Sequence, residues 1–175
     1  MNLKIATAEC FTHGKVAEEL HAFARGYPHQ YPFTLRREEV EISVIAGLFL
    51  PTLASVKTIL RIEPLEPKTV VDTIKVYEQE ADCRMAFRMA EAVMRLTGAD
   101  IGIGTTAGIG KGAVAVVATG KIYSRTSAVY ADFRSAKPDL LIKREKSGVF
   151  TALKLFEEFL VEGSYPDQYD KYVNK

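Results

Sequence analysis

Two short runs hold the residue types with the most chemistry in them. The first is ECFTHG, residues 9–14, where Cys10 stands on a polar break between a β-branched run (LKIATA, 3–8) and an amphipathic stretch (15–25). A thiol at the entrance to a helix sits where aligned peptide dipoles favour the thiolate, and His13, three residues on, adds to that if protonated. Cys10 is therefore a candidate nucleophile, with a buried packing cysteine as the open alternative. His13 and Thr12 are the candidate groups to steady an oxyanion or a leaving group. Glu9 and Gly14 frame the motif and are counted with the ligand-binding residues.

The second run is GIGTTAGIGKG, residues 102–112, with five glycines, two threonines and one lysine. Residues without bulk let backbone N–H groups close on phosphate oxygens, and hydroxyls and an ammonium add further donors. Thr105, Thr106, Ala107, Gly108, Gly110, Lys111 and Gly112 are accordingly the candidate nucleotide-binding residues, the alternative being a tight apolar turn. The run is not a P-loop, because Thr105 stands where the first glycine belongs and Gly112 follows the lysine. It also fails as a dinucleotide fingerprint, since it leads towards a strand and no acidic residue follows before Asp132.

Other reactive side chains lack company. Cys83 lies in a helical stretch (EADCRMAF) and reads as packing, while His21 and His29 have no partner that the sequence names. Cys10 and His13 supply at most two ligands, and no zinc-type spacing exists, so no metal and no resident cofactor is expected. The charged run Lys143-Arg144-Glu145-Lys146 reads as a solvated turn within reach of a distal phosphate.

Elements that would position these residues alternate along the chain. Residues 3–8 read as a strand and Lys15–Arg25 as a helix with Thr12 as its N-cap. The segment 26–37 (GYPHQYPFTLRR) reads as a surface loop and possible lid. A strand is expected over 40–48, a helix over 53–62, and two helical elements over 69–96, with Met85, Met89, Val93 and Leu96 as a core stripe and Gly98 as the stop. Strands follow at 100–104 and 113–118, one or two more within 122–133, and a last helix at 149–161 stopped by Gly163. The order predicts an α/β domain, layered α/β/α, with a mostly parallel sheet over residues 1–163 and a polar tail over 164–175.

Composition bounds the rest. A chain of 175 residues and 19.4 kDa is long enough for one core. Lys+Arg number 23 against 22 Asp+Glu, a formal charge of +1, which argues against general nucleic-acid binding. The longest apolar stretch, 44–53, is too short to span a bilayer and contains Pro51, so no membrane is expected. Two distant cysteines and a start without a signal-like segment point to the cytoplasm.

The segments ATAECFTHG and GTTAGIGKGAVAVV, with the spacing between them, resemble the HcgF family of methanogens over residues 3 to 160. That resemblance implies maturation of the iron-guanylylpyridinol (FeGP) cofactor of Fe-hydrogenase. It implies binding of guanylylpyridinol, a GMP joined to a substituted pyridinol, and a thioester between Cys10 and the pyridinol's carboxymethyl group. A more distant likeness is to CinA C-terminal, nicotinamide-mononucleotide deamidase domains, whose Ala-Glu-Ser-Cys-Thr-Gly-Gly aligns with residues 8–14 and places Cys10 on the nucleophilic serine. Their Thr-Gly-Ile-Ala-Gly-Pro turn resembles residues 105–110. Their Tyr and Lys near the second helix meet only Phe49-Leu50-Pro51-Thr52 and Lys57 here. The combined expectation is that residues 105–112 hold the nucleotide phosphate while Cys10 attacks a carboxyl carbon adenylylated elsewhere. Pyridine-nucleotide deamidation and non-catalytic nucleotide binding are the alternatives. Expected partners are a nucleotide-like small molecule, other FeGP-maturation proteins and further copies of the chain.

Overall fold

Apolar runs and amphipathic stretches resolve, in a computed structural model that describes residues 2–161, into a five-stranded sheet with helices on both faces. In chain order the elements are β1 (Asn2–Glu9), α1 (Lys15–Arg25), β2 (Glu41–Phe49), α2 (Leu53–Leu60), β3 (Thr69–Val71), β4 (Ile74–Val76), α3 (Gln79–Thr97), β5 (Ile101–Thr106), β6 (Ile109–Gly110), β7 (Ala113–Ala118), β8 (Lys121–Arg125), β9 (Ala131–Asp132) and α4 (Pro138–Val161). The sheet order is β2-β1-β5-β7-β8. β1 pairs in parallel with β2 and β5, while β7 runs antiparallel to both β5 and β8. Four of the five strands thus point one way and β7 is reversed, which is the mostly parallel α/β/α arrangement the sequence predicts.

One face packs Val16, Leu20 and Phe23 of α1 and Leu153 and Phe156 of α4 on Ile5, Ile103, Val114 and Val116. Each of these large side chains contributes roughly 1.5–3 kcal/mol on leaving water. On the other face Val56 and Leu60 of α2 and the stripe Met85, Met89, Val93 of α3 cover Ala6 and Ala8. The small strand residues there let the helix come close. In β5 the fit is tighter: a Cβ at Gly102 or Gly104 would overlap the backbone carbonyls of Ala90 or Ala86 in α3. Gly98 stops α3 in the left-handed region, as expected.

Four local expectations are corrected. Residues 69–96 are not two helices: a hairpin of β3 and β4 precedes a single helix. Asp72 and Thr73 turn it at positive φ (48° and 71°), and its β-branched residues suit a pleated ribbon. The last helix starts at Pro138, eleven residues before Val149, with proline inside its first turn where no N–H is needed. The run 143–146 is therefore helical, and Arg144 and Glu145 are buried within it. Finally, α1 has Gly14 as N-cap, and Thr12 makes no cap bond to it.

The 26–37 loop is pinned by carboxylates. Glu157 accepts from the Tyr31 hydroxyl (2.8 Å) and the Thr34 and Leu35 N–H groups, and Glu19 accepts from the N–H groups of Gln30 and Tyr31. Tyr31 is buried with the α1/α4 core. The tail 164–175 and the Gly163 stop lie outside the described residues. Among those described, no helix is long and apolar enough to cross a membrane.

Candidate functional site

The carboxyl ends of β1, β2 and β5 stand side by side, and the chain after each turns across the same edge of the sheet. The Leu50 N–H donates to the Glu9 carbonyl (2.7 Å), and the Cys10 N–H to the Thr105 carbonyl (2.9 Å) and hydroxyl (3.2 Å). Those bonds lock the backbone of Cys10 against β5. A cavity of about 140 Å³ opens beside it, lined by Cys10, Phe11, His13, Phe49, Pro51, Ile74, Ala107, Phe133, Leu141, Ile142, Arg144 and Glu145. Its walls are mostly apolar, and an apolar space of this size takes one six-membered ring. A larger groove of about 490 Å³ lies at the opposite end of the sheet, lined by Asn2, His21, Arg25, Arg37 and Glu41 among others. It lacks any thiol, and open α/β sheets gather ligands at their strand carboxyl ends.

Glu9 is the structural centre of the first motif. Fully buried, its carboxylate accepts from the hydroxyls of Thr7 (2.8 Å) and Thr12 (2.7 Å) and from the Val16 (3.1 Å) and Ala17 (2.9 Å) N–H groups at the start of α1. The carboxylate therefore does the capping expected of Thr12. The Thr12 hydroxyl also pairs with that of Thr105 (2.8 Å), which turns it inward, into a network away from the cavity walls. His13, at φ 54°, faces Glu145, Nδ1 to Oε2 3.3 Å, and sets its ring edge-on to Phe49. Lys15 reaches the same Glu145.

In the second motif the structure puts Thr105 and Thr106 at the buried end of β5. Three of its backbone donors already have protein acceptors: Gly108 N–H to Asp82 (2.8 Å), Ile109 N–H to the Tyr77 carbonyl (2.7 Å), and Lys111 N–H to Gln79 (2.7 Å). A Cβ on Gly108 would overlap the backbone of Tyr77. Ala107 reaches the cavity wall. Gly112 packs between Ala107 and Phe11, and Lys111 is exposed beside it.

Asp82, Lys75 and Arg144 join Glu145 and Glu157 as buried charged residues that escaped the sequence reading. Asp82, in the first turn of α3, accepts from Gly108 N–H and the Thr106 hydroxyl (3.2 Å). Burial pushes its carboxyl up to about 7, against the pull of those donors and of the Arg144 and Lys75 charges. Lys75, on β4, is 1% exposed and donates to the Leu50 carbonyl (2.7 Å). Arg144 is 2% exposed, and its Nη1 donates to the carbonyls of Gly108 (2.9 Å), Gly110 (3.1 Å) and Ala131 (2.8 Å). A signal existed for Asp82, which sits three and seven residues before Met85 and Met89, on the buried stripe. Cys83, half-buried with its thiol raised by burial, lies outside the cavity. Among the described residues no group of three His, Cys, Asp or Glu could hold a metal ion.

Fold and site together define a mostly parallel α/β/α domain with a cysteine just after its first strand. The competence-damaged protein (CinA) superfamily protein from Klebsiella pneumoniae is similar with a TM-score of 0.58, over 91% of this chain and 88% of its own, at 16% identity. The CinA superfamily protein from Escherichia coli gives 0.56 over 88% and 78%, at 18% identity. These likenesses are of fold. Closer in sequence are UPF0254 proteins of methanogens: 68% identity in Methanocorpusculum labreanum over 97% of this chain and 98% of that one, and 46% in Methanothermobacter thermautotrophicus over 91% and 97%. Residues 2–160 match the family described as FeGP cofactor biosynthesis protein HcgF, and the chain belongs to that family.

Proposed function

We propose that this protein binds guanylylpyridinol and carries its carboxymethyl group as a thioester on Cys10, as a step in FeGP cofactor biosynthesis. The observation behind the reading is the buried Cys10 thiol on the wall of a ring-sized apolar cavity, at the strand ends where α/β sheets take ligands. Phe11, Phe49 and Phe133 offer faces and edges to an aromatic ring. The nucleotide is too large for the same space and extends outside it. The backbone N–H groups of Gly108, Ile109 and Lys111 being engaged, the Lys111 ammonium is the donor of the glycine run that would meet its phosphate.

Chemistry follows from the thiol. Cys10 gives its proton up to solvent, and Sγ attacks the carbonyl carbon of the adenylylated carboxymethyl group. The C–S bond forms, the C–O bond to the adenylyl phosphate breaks, and AMP leaves with the electron pair. The protein needs no redox partner for this exchange. Activation of the carboxylate happens elsewhere. His13, beside Glu145 on the cavity wall, would meet the entering acyl group, and Thr12 supports Glu9 and Thr105.

Intact-mass spectrometry after incubation with adenylylated guanylylpyridinol tests the reading. The expected product is one adduct on the wild type and none on Cys10→Ala; an adduct of equal yield on that variant contradicts it. Ammonia released from nicotinamide mononucleotide without any adduct would select the deamidase alternative instead.

A further inference from the structure

Arg144 presents a charge problem that the fold leaves unsolved. A guanidinium taken out of water is costly unless paired, and buried charges in proteins are ordinarily matched by an opposite charge. Arg144 is anchored through one nitrogen to three carbonyls, yet among the described residues it forms no ion pair and its buried Nε has no hydrogen-bond partner. It lines the cavity that Cys10 lines. The cavity wall offers two acidic groups, Cys10 and Glu145; Glu145 lies within ion-pair distance of Lys15 and His13, while its buried Oε1 makes no hydrogen bond.

Resting on the reading of Cys10 as the nucleophile, we propose that Arg144 is the positioning residue that holds Cys10 as a thiolate, the guanidinium and the sulfur serving as each other's counter-charge within the cavity. Asp82 is then the competitor: it stands near enough to Arg144 to feel its charge, and it neutralises part of that charge when ionised. The remaining groups around the thiol are accounted for. Glu9 is saturated by four donors, Lys75 donates to the Leu50 carbonyl, the Tyr77 hydroxyl donates to the Leu65 carbonyl, and His13 and Lys15 face Glu145. The role differs from the helix-dipole and His13 effects expected from the sequence, because α1 begins with its Val16 and Ala17 N–H groups on Glu9 and His13 is turned to Glu145.

The test is the pH profile of iodoacetamide alkylation at residue 10 in a Cys83→Ala background, which needs no nucleotide. Arg144→Gln should raise the apparent pKa by about one unit or more, slowing alkylation at pH 7 by about tenfold, with Arg144→Lys between the two. Asp82→Asn, which keeps its acceptor oxygen, should move the profile the other way. Superimposed wild-type and Arg144→Gln profiles overturn the proposal. If Arg144→Gln does not fold, Asp82→Asn alone decides: a lower apparent pKa supports it, and an unchanged or higher one overturns it. Failure here with a normal guanylylpyridinol adduct removes Arg144 and spares the thioester, whereas a profile that shifts with Arg144 without any adduct does the reverse.

Discussion

The loops that follow β1 and β5 leave the same edge of the sheet, touch each other through Cys10 and Thr105, and look equally equipped for a ligand when read as residue strings. In the folded protein they spend their polar groups differently. After β1, Glu9 and Thr12 are absorbed into a buried network that starts α1, and that network leaves the Cys10 thiol on a cavity wall. After β5, the N–H groups at 108, 109 and 111 are bound to Asp82, Tyr77 and Gln79, and Gly108, like Gly102 and Gly104 within β5 itself, is a place where another backbone comes too close for a Cβ. One loop is a holder with a single reactive atom left over, and the other is a joint between sheet, hairpin and helix. The lesson is that a glycine-rich run after a strand has two uses, phosphate contact and close packing, and that counting the engaged N–H groups separates them.

The sharpest break between the loops should come from Cys10→Ala, which removes all adduct formation, read by adduct mass. Glu9→Ala in the same loop should cost about 3 kcal/mol in denaturation, because two hydroxyls and two helix N–H groups lose their acceptor. A loss below about 1 kcal/mol would mean the network is not what builds this end of α1. In the β5 segment, Gly104→Ala should cost about 2 kcal/mol, since the Ala86 carbonyl has to move. A neutral result would return those glycines to the ligand-binding reading.

Much of the architecture was legible because it rests on periodicity. Lys15–Arg25 and Ala113–Ala118 follow their apolar spacing and end where glycine or polar residues interrupt it. The site was less so. Arg144 finds its acceptors at positions 108, 110 and 131, so nothing local marks it as buried, and a charged run reads as solvated when its helix is thought to begin later. The hairpin at 69–76 was hidden for a different reason: three-residue strands are too short for a period of two to show beside a strong helical stripe. Cys10 was legible from the abrupt change of pattern around it, but its cavity was not, being assembled from β2, β4, α4 and the loop residues Pro51, Ala107 and Phe133, distant in sequence.

Two smaller effects refine the contrast. Asp82 has its carboxyl pushed up to about 7 in the folded state, so the folded protein holds that proton more tightly than the unfolded chain does. Stability from this source is complete below about pH 4 and is lost as pH rises towards 7, an amount on the order of 2 kcal/mol between pH 5 and 7. Asp82→Asn should flatten that part of the curve of melting temperature against pH; an unchanged slope would remove Asp82 as its cause. Lys111→Ala should leave stability within about 0.5 kcal/mol, because its exposed side chain supports nothing and its backbone bond to Gln79 stays. The same variant should weaken binding of GMP-type ligands in calorimetry, and equal affinity would take Lys111 out of the phosphate contact.

The most direct measurement is peptide-mapped mass spectrometry of the protein after reaction with adenylylated guanylylpyridinol, with and without hydroxylamine, which cleaves thioesters. The account predicts a single guanylylpyridinol acyl group on the peptide that contains Cys10, lost on hydroxylamine treatment. An adduct mapped to any other residue, or one on Cys10 that resists hydroxylamine, would contradict it.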